Sequence, residues 1–156
     1  MARIQSGKTH TAAFVPLIEQ LSRAHHRLAL YDAEFHRLSG SGLTTPQAKV
    51  VFCLGGTEGL TCSEITERTL ITKGTLTGVI DRLEGKGLLQ RWGDTEDGRC
   101  IIVDLTRAGE RLFRREYPRY LEVMRARFEG LPARECAQAT RLLEKIAELF
   151  QGTRDA

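Results

Sequence analysis

Residues 61–105 read TCSEITERTLITKGTLTGVIDRLEGKGLLQRWGDTEDGRCIIVDL, and three patterns follow one another along them. Thr61-x-x-Glu64 has the form of a capping box, in which a threonine and a glutamate satisfy each other's free backbone amides, and it opens a short helix through Ile65 to about Thr69. Thr72 can cap a second helix whose apolar residues Leu76, Val79, Ile80 and Leu83 recur at helical spacing, with Gly85 and Gly87 to end it. Two short helices joined by about four residues make a helix-turn-helix. The period then drops to two. Leu88 to Trp92 reads as a strand, Gly93 to Gly98 as a polar tip, and Cys100 to Leu105 as the returning strand with Ile101, Val103 and Leu105 facing inward. A hairpin set directly after a helix-turn-helix is the plan of a winged helix.

Upstream of this stretch, Thr44 or Thr45 with the early Pro46 starts another helix that ends at Gly55-Gly56. Before it, Thr11 to Leu38 carries a single apolar stripe of Leu17, Leu21, Ala24, Leu28, Tyr31, Phe35 and Leu38, closed by Ser39-Gly40-Ser41-Gly42. After the hairpin, a helix from about Arg107 to Phe128 encloses Pro118, which should kink it. A last helix after Leu131-Pro132 carries Cys136, Ala139, Leu143, Ile146 and Phe150. These terminal helices hold more apolar surface than one small core can cover, so they should pack on each other and on a second copy of the chain. The expected fold is mostly α with a small β-hairpin: a winged helix-turn-helix with long N- and C-terminal helices forming a dimerisation bundle. Residues 1–44 and 107–156 would form the dimerisation region, and residues 45–106 the DNA-binding domain.

Composition narrows the function classes. Across 156 residues, 41% hydrophobic and 28% charged is the balance of a globular protein rather than a disordered one. No run nears the roughly 18 apolar residues of a membrane span, and Met1 to His10 lacks the apolar stretch of a secretory signal, so a cytoplasmic protein is the default. The net charge of +3 only permits nucleic-acid binding. Residues 45–107 hold 8 basic and 9 acidic side chains, so placement of a few cations must do the work there. Cys53, Cys62, Cys100 and Cys136 form no C-x-x-C pair and read as free thiols. His25 and His26 are adjacent, and no H-x-x-x-H or H-E-x-x-H occurs, so no metal or cofactor is expected. Gly7-Lys8-Thr9 resembles the end of a P-loop, but the required first glycine falls at Ala2. No G-x-S-x-G occurs either, and no enzyme is expected.

The candidate DNA site lies on the second helix of the pair. With Leu76, Val79, Ile80 and Leu83 inward, the opposite face is Gly74, Gly78, Asp81 and Gly85, a surface that lets the backbone approach a major groove closely. Its flanks supply Lys73, Thr75, Thr77 and Arg82, which suit base edges and phosphates. Arg99 near the wing tip suits a narrow minor groove, aimed by Asp97 among the acids Asp94, Glu96 and Asp97, unless the tip is only a solvated turn. Ser63 and the amides at the start of the short helix can take a phosphate, unless they serve capping alone.

These residues resemble the MarR family of bacterial transcription regulators. The resemblance is most specific over Asp81-Arg82-Leu83-Glu84, Lys86-Gly87-Leu88-Leu89 with Arg91, Asp94-x-x-Asp97-Gly98-Arg99, and Val103-x-Leu105-Thr106-x-x-Gly109. Leu43-Thr44-x-x-Gln47 adds to it. Two positions depart from the family: Ala48 stands where an aromatic residue is frequent, and Gly78 where an arginine is frequent. The resemblance implies a homodimer on a palindromic operator, acting as a repressor that a small aromatic or phenolic acid releases. The effector pocket would lie near His36, Lys49, Phe52 and Tyr117. Two other readings stand beside it: a redox-sensing regulator using Cys62 or Cys100, and a winged-helix protein-interaction module without specific DNA binding.

Overall fold

The computed structural model describes residues 13–93 and 101–150. Its elements run α1 (Phe14–Leu38), α2 (Thr45–Leu54), β1 (Leu60–Thr61), α3 (Cys62–Thr69), α4 (Lys73–Gly85), β2 (Leu89–Gly93), β3 (Ile101–Leu105), α5 (Arg107–Phe128) and α6 (Ala133–Glu148). They fall into two compact units, one ending at Glu116 and the other beginning at Tyr117. None of the described helices is long and apolar enough to cross a membrane.

The first unit is the winged helix with α1 and the start of α5. The apolar ridge read on α4 is buried throughout, and it meets Val50, Val51 and Leu54 of α2, Ile65 of α3, Leu89 of β2, Val103 and Leu105 of β3, and Leu112 of α5. Each such side chain contributes about 1.5–3 kcal/mol on leaving water, so this one cluster fixes the position of α4. The sheet is antiparallel in the order β1-β3-β2, with Leu89 opposite Leu105 and Trp92 opposite Ile102. Ile101 departs from the expected inward alternation: paired with Gly93 at the end of the ladder, it lies beyond the core and is exposed. β1 is an addition to the expected hairpin, pairing Leu60 with Val103 and Thr61 with Ile102.

Local chemistry sets the element ends. Gln47 Oε1 accepts from the Thr44 amide at 3.1 Å, closing the start of α2. At the end of α4 the chain reverses through Gly87, whose φ is +70°, while Gly87 N–H donates to Glu84 O and Leu88 N–H donates to Leu83 O. That pair of bonds is a Schellman motif, and only glycine enters it without penalty. At the base of the wing, Thr106 Oγ1 donates to Gly87 O at 2.6 Å and Thr106 N–H donates to Leu88 O at 3.0 Å.

The second unit comprises the rest of α5, from Tyr117, and α6. No residue of α6 is buried, and Leu121, Phe128, Leu142, Leu143 and Leu149 are exposed. In the first unit the α1 stripe is likewise open: Leu17, Leu21, Leu28 and Leu38 are exposed, and the buried α1 residues are Asp32 and His36.

Candidate nucleic-acid interface

Because four apolar side chains pin one side of α4, its other side is presented to solvent by geometry alone. Lys73, Thr75, Thr77 and Arg82 are all exposed there. Thr72 Oγ1 donates to Thr75 Oγ1 at 3.2 Å, and Thr77 Oγ1 donates to Lys73 O at 3.4 Å. The Thr77 proton is therefore directed at the helix backbone, leaving the hydroxyl lone pairs to accept from an amino group on a base.

The acids of the same helix are held. Arg91 of β2 reaches Asp81 Oδ1 through Nη2 and Glu84 Oε2 through Nη1, each at 2.5 Å. These partners, with the Asp81 hydrogen bond foremost, raise the affinity of Arg91 for its proton. Two carboxylates that would repel a phosphate backbone are thus drawn to the wing strand. The sequence reading missed this clamp; its signal was the i,i+3 spacing of Asp81 and Glu84 on one helix face, facing an arginine in the next strand. Arg82 has no ion-pair partner among the described residues.

The start of α3 keeps its capping box. Glu64 Oε2 accepts from the Thr61 amide and hydroxyl, both at 2.8 Å, and Glu64 N–H donates back to Thr61 Oγ1 at 3.2 Å. Those bonds hold the Glu64 carboxyl below the usual carboxylate range. Thr61 is occupied in capping, and Ser63 stands exposed one residue into the helix. Asp94, Glu96, Asp97, Arg99 and Cys100 lie outside the described residues.

Of the residues suggested for an effector, His36 and Phe52 come together, with ring centres 5.9 Å apart; Phe35 meets the same imidazole edge-on at 5.2 Å. Lys49 is exposed on α2, and Tyr117 belongs to the second unit. His36 is 7% exposed, and burial pushes its proton affinity down while Asp32 and Glu116, themselves buried, pull it up. A shallow depression of about 340 Å³ opens beside it, lined by Ala33, His36, Arg37, Leu43, Thr44 and Thr45. Burial pushes the Cys53 thiol up, whereas Cys62 is exposed. No group of three His, Cys, Asp or Glu side chains is placed to hold a metal ion among the described residues.

Comparison with known proteins points the same way as this geometry. The family model described as MarR family matches residues 43–101. The transcriptional repressor MdtR of Bacillus subtilis is 32% identical over 107 residues, which span 69% of each chain. A mutant MarR from E. coli complexed with operator DNA superposes with a TM-score of 0.73 at 25% identity, over 85% of this chain and 94% of that one. BpsR of Bordetella bronchiseptica, whose DNA binding is regulated by 6-hydroxynicotinic acid, gives 0.67 at 26% identity, over 82% and 98%.

Proposed function

The chain belongs to the MarR family of DNA-binding transcription regulators, and we propose that it acts as an effector-responsive repressor, a homodimer placing one winged helix in each half of a palindromic operator. The observation that carries this reading is the division of charge on α4. Lys73, Thr75, Thr77 and Arg82 face outward, and Arg91 holds Asp81 and Glu84. In the major groove, α4 reads base edges with the threonines and Arg82, while Lys73 meets phosphate. Ser63 at the start of α3 adds a phosphate contact, and Arg99 serves the flanking minor groove.

Dimerisation follows from the apolar residues that the single chain leaves in water. Phe14, Ile18, Leu21 and Leu28 of α1 and Leu142, Leu143 and Leu149 near the C-terminus need a cover, and a second copy supplies one with the two-fold symmetry a palindrome requires. The effector in this reading is a small aromatic or phenolic acid held near His36, Lys49 and Phe52; the 26% identity to a regulator controlled by 6-hydroxynicotinic acid supports that class. The work is done on DNA, in the cytoplasm, and needs no catalytic step. Effector binding lowers DNA affinity by favouring a dimer whose two α4 helices no longer match the groove spacing.

The test is selection of bound fragments from genomic DNA by the whole chain, with sedimentation in parallel. The expected outcome is a dimer that enriches an inverted repeat with half-sites about one helical turn, roughly 10 bp, apart. A well-folded monomer, or retention of DNA without sequence enrichment, overturns the reading in favour of a protein-binding winged helix.

A further inference from the structure

The outward side of α4 has a gap at Gly78, and a guanidinium fills it. A β-carbon built on Gly78 would lie 3.5 Å from Arg82 Nη1, 3.7 Å from Nη2 and 3.9 Å from Cζ. The arginine of the next turn leans back toward the helix N-terminus, as helical side chains do, and lays its head over bare backbone. Gly78 is half-buried for that reason, on a face where Thr77, Asp81 and Arg82 are exposed. Among the described residues the head is also unclaimed. The neighbouring carboxylates Asp81 and Glu84 are both engaged by Arg91, and Arg82 has no ion pair or hydrogen bond among the described residues.

We propose that Arg82 reads a guanine in each operator half-site from its position over Gly78, and that residue 78 sets this base preference by being empty. The inference rests on the assignment of α4 as the helix that enters the major groove. A guanidinium offers two parallel N–H donors, which match the N7 and O6 acceptors that guanine presents there. Laid across a glycine, it adds little height to the helix, so the backbone comes close to the base edges and the fork meets them near the middle of the reading face. A methyl group at residue 78 still leaves 3.5 Å, an ordinary contact, whereas a longer side chain occupies the space of the guanidinium and lifts it away.

The experiment uses the full chain, a fragment selected from random duplex DNA, and single-base-pair variants of that fragment, with affinities read by fluorescence anisotropy. One G·C pair in each half-site should be preferred by the parent protein about ten- to hundred-fold over the alternatives, the discrimination a bidentate contact gives. Arg82→Ala should bind all four pairs at that position about equally, and Arg82→Lys, which keeps donors but loses the planar fork, should discriminate less than the parent. Gly78→Ala should retain the preference and Gly78→Leu should lose it, with helicity and sedimentation unchanged. If Gly78→Leu fails to fold, Gly78→Met decides, since its flexible side chain fills the same space beside the guanidinium. Arg82→Ala binding every sequence more weakly by the same factor, with a shallower salt dependence, would mark a phosphate contact and overturn the proposal. Retention of the guanine preference by Arg82→Ala or a folded Gly78→Leu overturns it as well. Should the parent chain itself enrich no sequence, the DNA-reading assignment of α4 fails and this inference falls with it.

Discussion

The same substitution, glycine to alanine, should act in opposite directions at Gly109 and Gly78. Gly109 sits in the first turn of α5, where a β-carbon would come to 2.2 Å from the carbonyl oxygen of Leu88 and 3.1 Å from Leu105 Cδ2. A carbon and an oxygen in contact stay about 3.3 Å apart, so the start of α5 and the base of the wing must separate by about 1 Å. The obstacle is main chain, which cannot rotate aside as a flexible side-chain tip can. That same oxygen accepts the Thr106 amide at 3.0 Å. Overpacking of this kind costs about 1–3 kcal/mol and the strained hydrogen bond about 1 more. Alanine returns at most about 1 kcal/mol through its better helix propensity. Gly109→Ala should therefore lose about 1–3 kcal/mol. Gly78→Ala meets nothing closer than 3.5 Å and should gain about 1 kcal/mol. Urea unfolding followed by circular dichroism, at one protein concentration for all variants, measures both. With a slope of about 1–3 kcal/mol per molar, the two midpoints should lie about 1 M or more apart. A Gly109→Ala protein as stable as its parent would refute the close packing of wing base against α5.

Three further outcomes concern stability, and one concerns DNA. Leu70 is the sole non-glycine residue with positive φ among the described residues, at +58°, and it is 87% exposed in the turn before α4. Leu70→Asn should raise the unfolding free energy by about 1 kcal/mol, because asparagine tolerates that backbone and little packing is lost; a lower thermal midpoint would contradict it. His36 takes up its proton less readily folded than unfolded, so the folded chain resists a proton the unfolded chain accepts. Stability should fall as pH drops below the ordinary imidazole value of about 6.5, and His36→Gln should flatten that part of the stability profile. Arg91→Ala breaks two partly exposed ion pairs and should cost about 1 kcal/mol in denaturant titrations, while freeing two carboxylates beside the DNA-facing helix and weakening operator binding. Arg99→Ala should make the slope of log K against log salt shallower by up to about 2 for a dimer; an unchanged slope would remove the wing from the interface.

What the sequence disclosed and what it withheld divide along sequence separation. The ridge of Leu76, Val79, Ile80 and Leu83, the capping box of Thr61 and Glu64, and the span of α5 are all written in neighbours a few residues apart, and the structure has them as read. β1 escaped because two residues show no alternation; it exists through pairing with Ile102 and Val103 of β3, far along the chain. Gln47 stands three residues after Thr44, the spacing of a capping box, and its side chain closes the start of α2. The burial of Asp32 and Glu116 beside His36 depends on α1 and α5 meeting, which no local pattern expresses. The DNA-facing side chains were legible as a helix face. That Asp81 and Glu84 turn toward Arg91, and that Arg82 covers Gly78, are rotamer choices settled by neighbours in three dimensions.

At the far end of α4, Lys86 Nζ donates to the carbonyl oxygen of Gly42 at 2.6 Å and lies 3.4 Å from Gln47 Oε1. One ammonium thus buckles the helix that faces DNA to the bend between α1 and α2. Those two contacts join the C-terminal end of α4 to the bend, so a shift of the bend should carry α4 with it. In the proposed dimer, two winged helices tied in this way should act as callipers that gauge the gap between half-sites. Inserting or deleting one base pair at the centre of the operator rotates one half-site by about a tenth of a turn, and callipers of fixed span should register it as lost affinity.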